Sequence, residues 1–258
     1  MQILRASLLA LAFSLTLAPG AYAAAPAKAA AAAFDSAIIS GLGARNIGSA
    51  TMSGRISSLD AVPMPDGKLM LWVGAASGGV WKSLDGATTF TPVFDSQPVQ
   101  SIGAVEIDKR NTDTVWVGTG EAWTRNSVSI GNGIYKTTDG GDTWQHLGLE
   151  GSERIADIRI DPRASDTVYA CVTGRLWSDS LERGVYRTRD GGKTWQQVLK
   201  APSASTGCAS LSMDEKNPDV LFAALWDFRR KGWTFRSGGE SPTAPSASAL
   251  MVTRDGGN

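Results

Sequence analysis

Histidine is nearly missing from this 258-residue chain, with His146 the only one. A Ser-His-Asp triad and a histidine-built metal centre are excluded with it, and His146 itself reads as a solvent-facing residue of an outer strand. No metal and no cofactor are expected. An excess of charge is also lacking, with 25 basic residues against 25 acidic; nucleic-acid binding, which needs a basic face, is excluded. Long apolar runs are absent: the longest candidate, Ser7 to Leu17, is too short to span a bilayer. Gly118-Thr119-Gly120 and Gly131-Asn132-Gly133 lack both a third glycine and a following helix, so neither is a nucleotide-binding loop. Cysteine occurs twice, at Cys171 and Cys208.

The first residues read as an export signal, 1–23. Arg5 supplies the positive end, Ser7 to Leu17 the apolar centre, and Ala21-Tyr22-Ala23 the small-residue cleavage site. An Ala-rich leader, 24–43, follows. The expected product is periplasmic or extracellular, not an integral membrane protein.

What is abundant is a turn signature. It appears as Ser83-Leu84-Asp85-Gly86-Ala87-Thr88-Thr89-Phe90, then from Thr137 to Trp144, from Thr188 to Trp195, and from Thr253 to Asn258. Its aspartates, Asp85, Asp139, Asp190 and Asp255, are spaced 54, 51 and 65 residues apart. A period near fifty with one turn per unit predicts a repeat architecture. In each copy the carboxylate can accept bonds from nearby backbone N–H groups while Gly takes φ > 0. Thr and the aromatic residue, Trp144 and Trp195 in the second and third copies, are expected to open the next strand. Ala87 stands where the other copies have Gly and should cost its turn about 1 kcal/mol. These aspartates read as staples that hold turns, not as calcium ligands or catalytic acids.

Three further strands recur upstream of each turn. The first alternates (Ile102, Val105, Ile107). The second places an aromatic residue two before a small one (Trp72/Gly74, Trp116/Gly118, Tyr169/Cys171, Phe222/Ala224). The third runs into the turn (Val80-Trp81-Lys82). Four short antiparallel strands per unit make the blade of an all-β propeller. Residues 44–258 hold about four blades, and an incomplete N-terminal fragment of a longer propeller is expected, with Arg45-Asn46-Ile47-Gly48 as an outer strand. Cys171 and Cys208 align with interior Gly, Ala and Ile slots, which favours two buried free thiols over a disulfide.

The blade topology puts the Asp turns on one face and the loops between second and third strands on the other. Ligand binding is expected on the loop face, where the units differ most. The candidates are Trp123 and Arg125 in unit two, Arg175 and Trp177 in unit three, and Trp226, Arg229, Arg230 and Trp233 in a long excursion of unit four. Aromatic faces beside charged groups suit a carbohydrate or polypeptide ligand. Glu121, Asp179, Asp227 and Glu240 are the carboxylates on these loops that could act in glycoside hydrolysis.

The turn signatures resemble the Asp-box, or bacterial neuraminidase repeat, and the cadence Ile160-Asp161-Pro162-Arg163-Ala164-Ser165-Asp166-Thr167-Val168-Tyr169 strengthens the likeness. From about Arg45 to Asn258 the chain is similar to the propellers of the sortilin group and of family 74 glycoside hydrolases. The resemblance implies a fold more firmly than an activity. Family 74 enzymes are expected to carry an Asp two residues before a Gly-Gly pair in the first blade; here Ala76 precedes Ser77-Gly78-Gly79. Arg55-Ile56-Ser57 resembles the Arg-Ile-Pro motif of sialidases without its proline, and Arg55 reads as the entry to the first strand. Two readings follow. One is a binding propeller; the other is a xyloglucanase- or β-glucanase-like hydrolase whose remaining catalytic residues lie beyond 258.

Overall fold

A computed structural model describes residues 55–239, 241 and 243–258, all within one of the two units into which the chain divides, Asn46–Asn258. The export signal, the leader, the strand expected at Arg45–Gly48 and the candidate Glu240 lie outside the described residues.

Among the described residues, sixteen strands form four antiparallel sheets, each of four strands. Blade 1 is β1 (Ile56–Pro63), β2 (Leu69–Ala75), β3 (Val80–Ser83) and β4 (Thr91–Pro92); blade 2 is β5 (Ile102–Ile107), β6 (Val115–Thr119), β7 (Ile134–Thr137) and β8 (Gln145–His146). Blade 3 is β9 (Ile155–Asp161), β10 (Ala164–Val172), β11 (Gly184–Thr188) and β12 (Gln196–Lys200). In each of these, spatial order follows chain order. Blade 4 departs from the pattern. Its β13 (Thr206–Met213) pairs with the first part of a long β14 (Leu221–Lys231), which pairs in turn with β16 (Ala249–Thr253). The far end of β14 runs on into a hairpin with β15 (Thr234–Ser237). The excursion expected as a loop is therefore strand from Trp226 to Lys231. Its cross-strand aromatics and a two-residue turn with Gly232 at φ +51° favour the hairpin.

The core lies between blades. One cluster joins Met70, Trp72 and Val80 of blade 1 to Ile102, Val105 and Val117 of blade 2. A second joins Trp116 and Ile134 to Ile155, Ile158 and Val168, and a third joins Tyr169 and Val185 to Leu211, Leu221 and Ala223. Large meets small at one recurring point. A Cβ on Gly74 would stand 2.7 Å from the Ile102 side chain, and one on Gly118 2.6 Å from that of Ile155. The small residue of each second strand thus faces the first large residue of the next blade. At the third junction that facing pair is Cys171 and Cys208. Both are fully buried and joined as a disulfide across 37 residues, with Cα atoms 5.2 Å apart. This corrects the expectation of free thiols: interior slots that align separately along the repeat are opposed in space. Closing a loop of that length stabilises by about 3–4 kcal/mol in the chain-entropy view.

The turns behave as staples, with one difference from expectation. Asp139 accepts from the Thr143 amide (2.9 Å) and from the hydroxyls of Thr137 (2.6 Å) and Thr143 (2.5 Å). Asp190 and Asp85 repeat the arrangement. Bonds from the Thr194 hydroxyl and amide hold Asp190 down at about 2, and bonds from the Thr89 amide and hydroxyl hold Asp85 at about 2. Thr and Trp do not open the outer strand; they close the turn, and the strand starts at Gln145 or Gln196. The indole then reaches back to the preceding blade. Trp144 donates to the Val93 carbonyl (2.7 Å) and meets Trp72 and Phe94 edge-on; Trp195 donates to the Leu147 carbonyl (2.8 Å) and meets Trp116. His146 is exposed on the outer strand, as expected, and stacks on Tyr135 at 4.7 Å.

Polar side chains link the innermost strands. The Ser58 hydroxyl accepts from the Val105 amide (2.9 Å), Asp60 from the Ile107 amide (2.7 Å) and Asp157 from the Leu211 amide (3.0 Å). Arg159 joins Glu106 at 3.2 Å. Burial pushes the Glu106 carboxyl up to about 8; Arg159 opposes the shift and Asp60 and Asp157 add to it.

Two outcomes follow. Ala87 adopts φ +72°, the left-handed region its methyl disfavours. Ala87→Gly should raise the unfolding free energy by about 1 kcal/mol, read from the urea midpoint at unchanged m-value; an unchanged midpoint would show that the turn carries no such strain. Glu106 holds its proton in the folded chain between the ordinary 4.5 and about 8, while the unfolded chain releases it, so stability falls as pH rises through that window. Glu106→Gln should match the parent below that window and exceed it increasingly within it. Parallel stability–pH curves for the two proteins would contradict this assignment.

Candidate functional site

The two faces are separated as the blade topology requires. On one, the Asp-Gly turns bond the hairpin ends of first and second strands: the Gly140 amide donates to the Asp113 carbonyl (2.9 Å) and Gly256 to Asp219 (2.9 Å). On the other, second-strand ends bond the links between blades: Gly120 donates to Ser101 (2.7 Å), Thr173 to Arg154 (3.0 Å) and Phe228 to Ser205 (3.2 Å). The tryptophan-bearing loops belong to this second face.

Here each innermost strand carries one extra residue. The ladder slips between Ile56 and Ser58, between Ile102 and Ala104, between Ile155 and Asp157, and between Cys208 and Ser210. The bulged residues are Ser57, Gly103, Ala156 and Ala209, all small. Together they floor a cleft of about 400 Å³, whose walls include Trp123 from blade 2 and Trp226 from blade 4. Thr124, Thr173 and Ser210 add hydroxyls, and Asp157 a carboxylate. Burial raises the Asp157 pKa, opposed by Arg159 2.7 Å away and by the bonds it accepts from the Leu211 and Ile158 amides. Trp226 is fixed by its indole bond to the Ser237 hydroxyl (2.7 Å) and by contact with Phe228 and Phe235, whereas Trp123 stands 62% exposed.

The other expected residues fall elsewhere. Glu121 is fully buried and held by both oxygens to Arg55 (2.8 and 2.5 Å), while its amide donates to the Ser101 hydroxyl. Arg55 thus does more than enter the first strand: it ties blade 1 to blade 2. Asp227 is buried, accepting from Ser205 (2.8 Å), the Ala247 amide (3.2 Å) and Arg236 (3.3 Å). Exposed Asp179 pairs with buried Arg229, and Arg175 lies 3.6 Å from Glu153. Arg230 lies over the Phe235 ring, its amide on the Leu176 carbonyl. Arg125 and Trp177 are exposed, and Trp233 projects from the β14–β15 turn at 95% exposure. Of the expected residues, the cleft brings together Trp123 and Trp226; no carboxylate on the described loops lines it.

Two residues that organise this face were not expected. Asp157 could have been found, because the repeat places Ser58, Ala104 and Ser210 in its slot. Arg183 left no such trace. It is fully buried, stacks on Phe228 at 4.7 Å and donates to the Thr173 (2.8 Å) and Ser178 (3.3 Å) carbonyls, and burial pushes its pKa down to about 10. It fastens the blade 3 loop to the base of the blade 4 hairpin.

Comparison with known proteins agrees with this architecture. The family profile described as sortilin, neurotensin receptor 3, matches residues 132–258. The oligoxyloglucan-reducing end-specific xyloglucanase of Emericella nidulans is 25% identical over 221 residues, covering 72% of this chain and 25% of that protein. Among solved structures, the Niastella koreensis GH74 enzyme superposes with TM-score 0.52 at 20% identity, covering 73% of this chain and 27% of its own. The GH74 xyloglucanase of Xanthomonas campestris gives 0.51 at 17%, covering 80% and 29%. This chain spans about a quarter of the length of these relatives. It is an all-β propeller chain of about four blades, related to the sortilin propeller and to family 74 glycoside hydrolases.

Proposed function

We propose that this chain is an exported propeller that binds a glycan or polypeptide ligand on its loop face, in the cleft walled by Trp123 and Trp226. The observation that carries this reading is the cleft itself. Two indoles from different blades stand over a floor of small bulged residues, with hydroxyls between them. Such a floor lets a ligand approach the strand backbone between aromatic walls carried by two different blades. The carboxylates on the described loops support binding over hydrolysis. Glu121 and Asp227 are buried in hydrogen bonds and ion pairs, and Asp179 is paired with Arg229. Ala76, where the family 74 likeness places an acid, is buried and apolar. The Cys171–Cys208 disulfide suits an oxidising compartment, in keeping with the export signal read at 1–23. Among the described residues, no helix is long and apolar enough to cross a membrane.

A second reading, glycoside hydrolysis of a β-glucan or xyloglucan, is favoured by the curated xyloglucanase relative. One set of experiments separates the two. Xyloglucan oligosaccharides, cello-oligosaccharides and an immobilised peptide library are tested for binding, and xyloglucan for reducing-sugar release. Binding to one ligand class should weaken about tenfold or more in Trp123→Ala and in Trp226→Ala, with unfolding curves unchanged for the exposed Trp123. Binding indifferent to both tryptophans would remove the cleft from consideration. Sugar release abolished by Glu121→Gln or Asp227→Asn in folded protein would establish hydrolysis in place of binding.

A further inference from the structure

Blades 2 and 3 have a described blade on each side, so exposed side chains there do not belong to an uncovered sheet. Their exposed large apolar side chains are Trp123, Ile130, Trp177 and Leu181. All four lie between second and third strands, on the loop face. Blade 4 adds Trp233 at the tip of the β14–β15 hairpin. The blade 3 loop and that hairpin are fastened together. The Arg230 amide donates to the Leu176 carbonyl (3.3 Å), Arg229 pairs with Asp179, and Arg183 stacks on Phe228. Trp177, Leu181 and Trp233 are therefore carried on one braced part of the rim. Large apolar side chains gathered on one exposed face mark a contact surface.

Charge on the hairpin is one-sided. From Phe228 to Gly238 it holds Arg229, Arg230, Lys231 and Arg236 and no acid, in a chain that balances 25 basic residues against 25 acidic. Arg229 is taken up by Asp179, and Arg236 lies 3.3 Å from Asp227. Arg230 lies over the Phe235 ring at 5.4 Å, and Lys231 is exposed beside Trp233. Neither of these two pairs with a carboxylate among the described residues. The acids of the blade 3 loop are already engaged. Asp179 is neutralised by Arg229, and Glu182 accepts from the Ser180 hydroxyl (2.8 Å).

Shape and composition select the partner. Trp233 is the second residue of a two-residue turn, a convex point. A protein partner would have to offer it a pocket, whereas a lipid interface needs none. Leu181 is aliphatic and has no ring to stack on a sugar, but it suits the acyl boundary. Tryptophan settles at headgroup depth, and phosphates attract the Lys and Arg beside it. At that depth the polar backbone of the turn stays hydrated. We propose that the loop face of blades 3 and 4 rests on an anionic lipid headgroup layer, with Trp177, Leu181 and Trp233 in the interface and Arg230 and Lys231 against the phosphates. This surface is distinct from the cleft between Trp123 and Trp226 and does not depend on what binds there.

The test uses the full chain. Its residues before Arg55 contain no tryptophan, so indole fluorescence reports on the blades alone. Vesicles of phosphatidylcholine, and of phosphatidylcholine with phosphatidylglycerol, both with brominated acyl chains, are titrated into the protein and indole quenching is followed. The expected result is quenching by the anionic vesicles that weakens as salt rises. The lipid concentration for half-maximal quenching should rise about tenfold or more in Trp233→Ala, where Trp177 remains to report. Lys231→Gln should raise it about fivefold. Unfolding curves should be unchanged for both variants, since both positions are exposed. Equal quenching by the two vesicle types, vesicle association without quenching, indifference to Trp233→Ala, or no association would overturn the inference. A soluble acidic polypeptide that binds the chain when the vesicles do not would assign the surface to a protein partner and overturn it equally. Trp123 and Trp226 are intact in every arm, so failure here leaves the cleft reading standing.

Discussion

The fold depends on an indole delivered backwards. In the second and third copies the Asp-Gly turn fixes its carboxylate on a downstream threonine, and the turn then throws the next residue, Trp144 or Trp195, into the blade before it. Local hydrogen bonding and long-range packing are thereby coupled: the turn is the part that aims the tryptophan. Removing a large aromatic from such a site costs about 3–5 kcal/mol, far more than any single hydrogen bond of the turn. The first copy has Phe90 in place of Trp, and that ring is 41% exposed.

Stapling on the outside of the blades leaves the opposite rim free to vary. The turn face is occupied by bonds between hairpin ends, so sequence change there disturbs the blade. The loop face is tied down by a few buried pairs, Arg55 with Glu121 and Arg183 with Phe228 among them. These pairs hold the loops in place and leave Trp123 and Trp226 to wall the cleft. Residues that looked reactive in the sequence because they were charged and on loops are, in Glu121, Asp227 and Arg229, the parts that hold the loops still.

Much of this was legible in the chain. The repeated Asp-Gly turn and the alternating strands between copies gave four blades, because both signals are local and periodic. The faces followed from strand order. Relations between blades were less visible. Cys171 and Cys208 align to different slots of the repeat, and that they face each other emerges once Gly74 is seen against Ile102. The blade 4 hairpin was read as a loop because its length breaks the period. Partnering explains the misread carboxylates: a sequence shows that Glu121 can ionise but not that Arg55, 66 residues away, already holds it. Asp157 was discoverable by asking which slot of the repeat departs from its fellows.

Equilibrium unfolding of Trp195→Ala beside Trp177→Ala tests the dependence on the staple most directly, since both remove the same side chain from one blade, at its two opposite ends. Trp195 is packed and hydrogen-bonded into the preceding blade, and Trp177 is half exposed on the loop face. The account predicts a loss of about 3–5 kcal/mol for Trp195→Ala and less than about 1 kcal/mol for Trp177→Ala. Equal losses, or a larger one at Trp177, would contradict it.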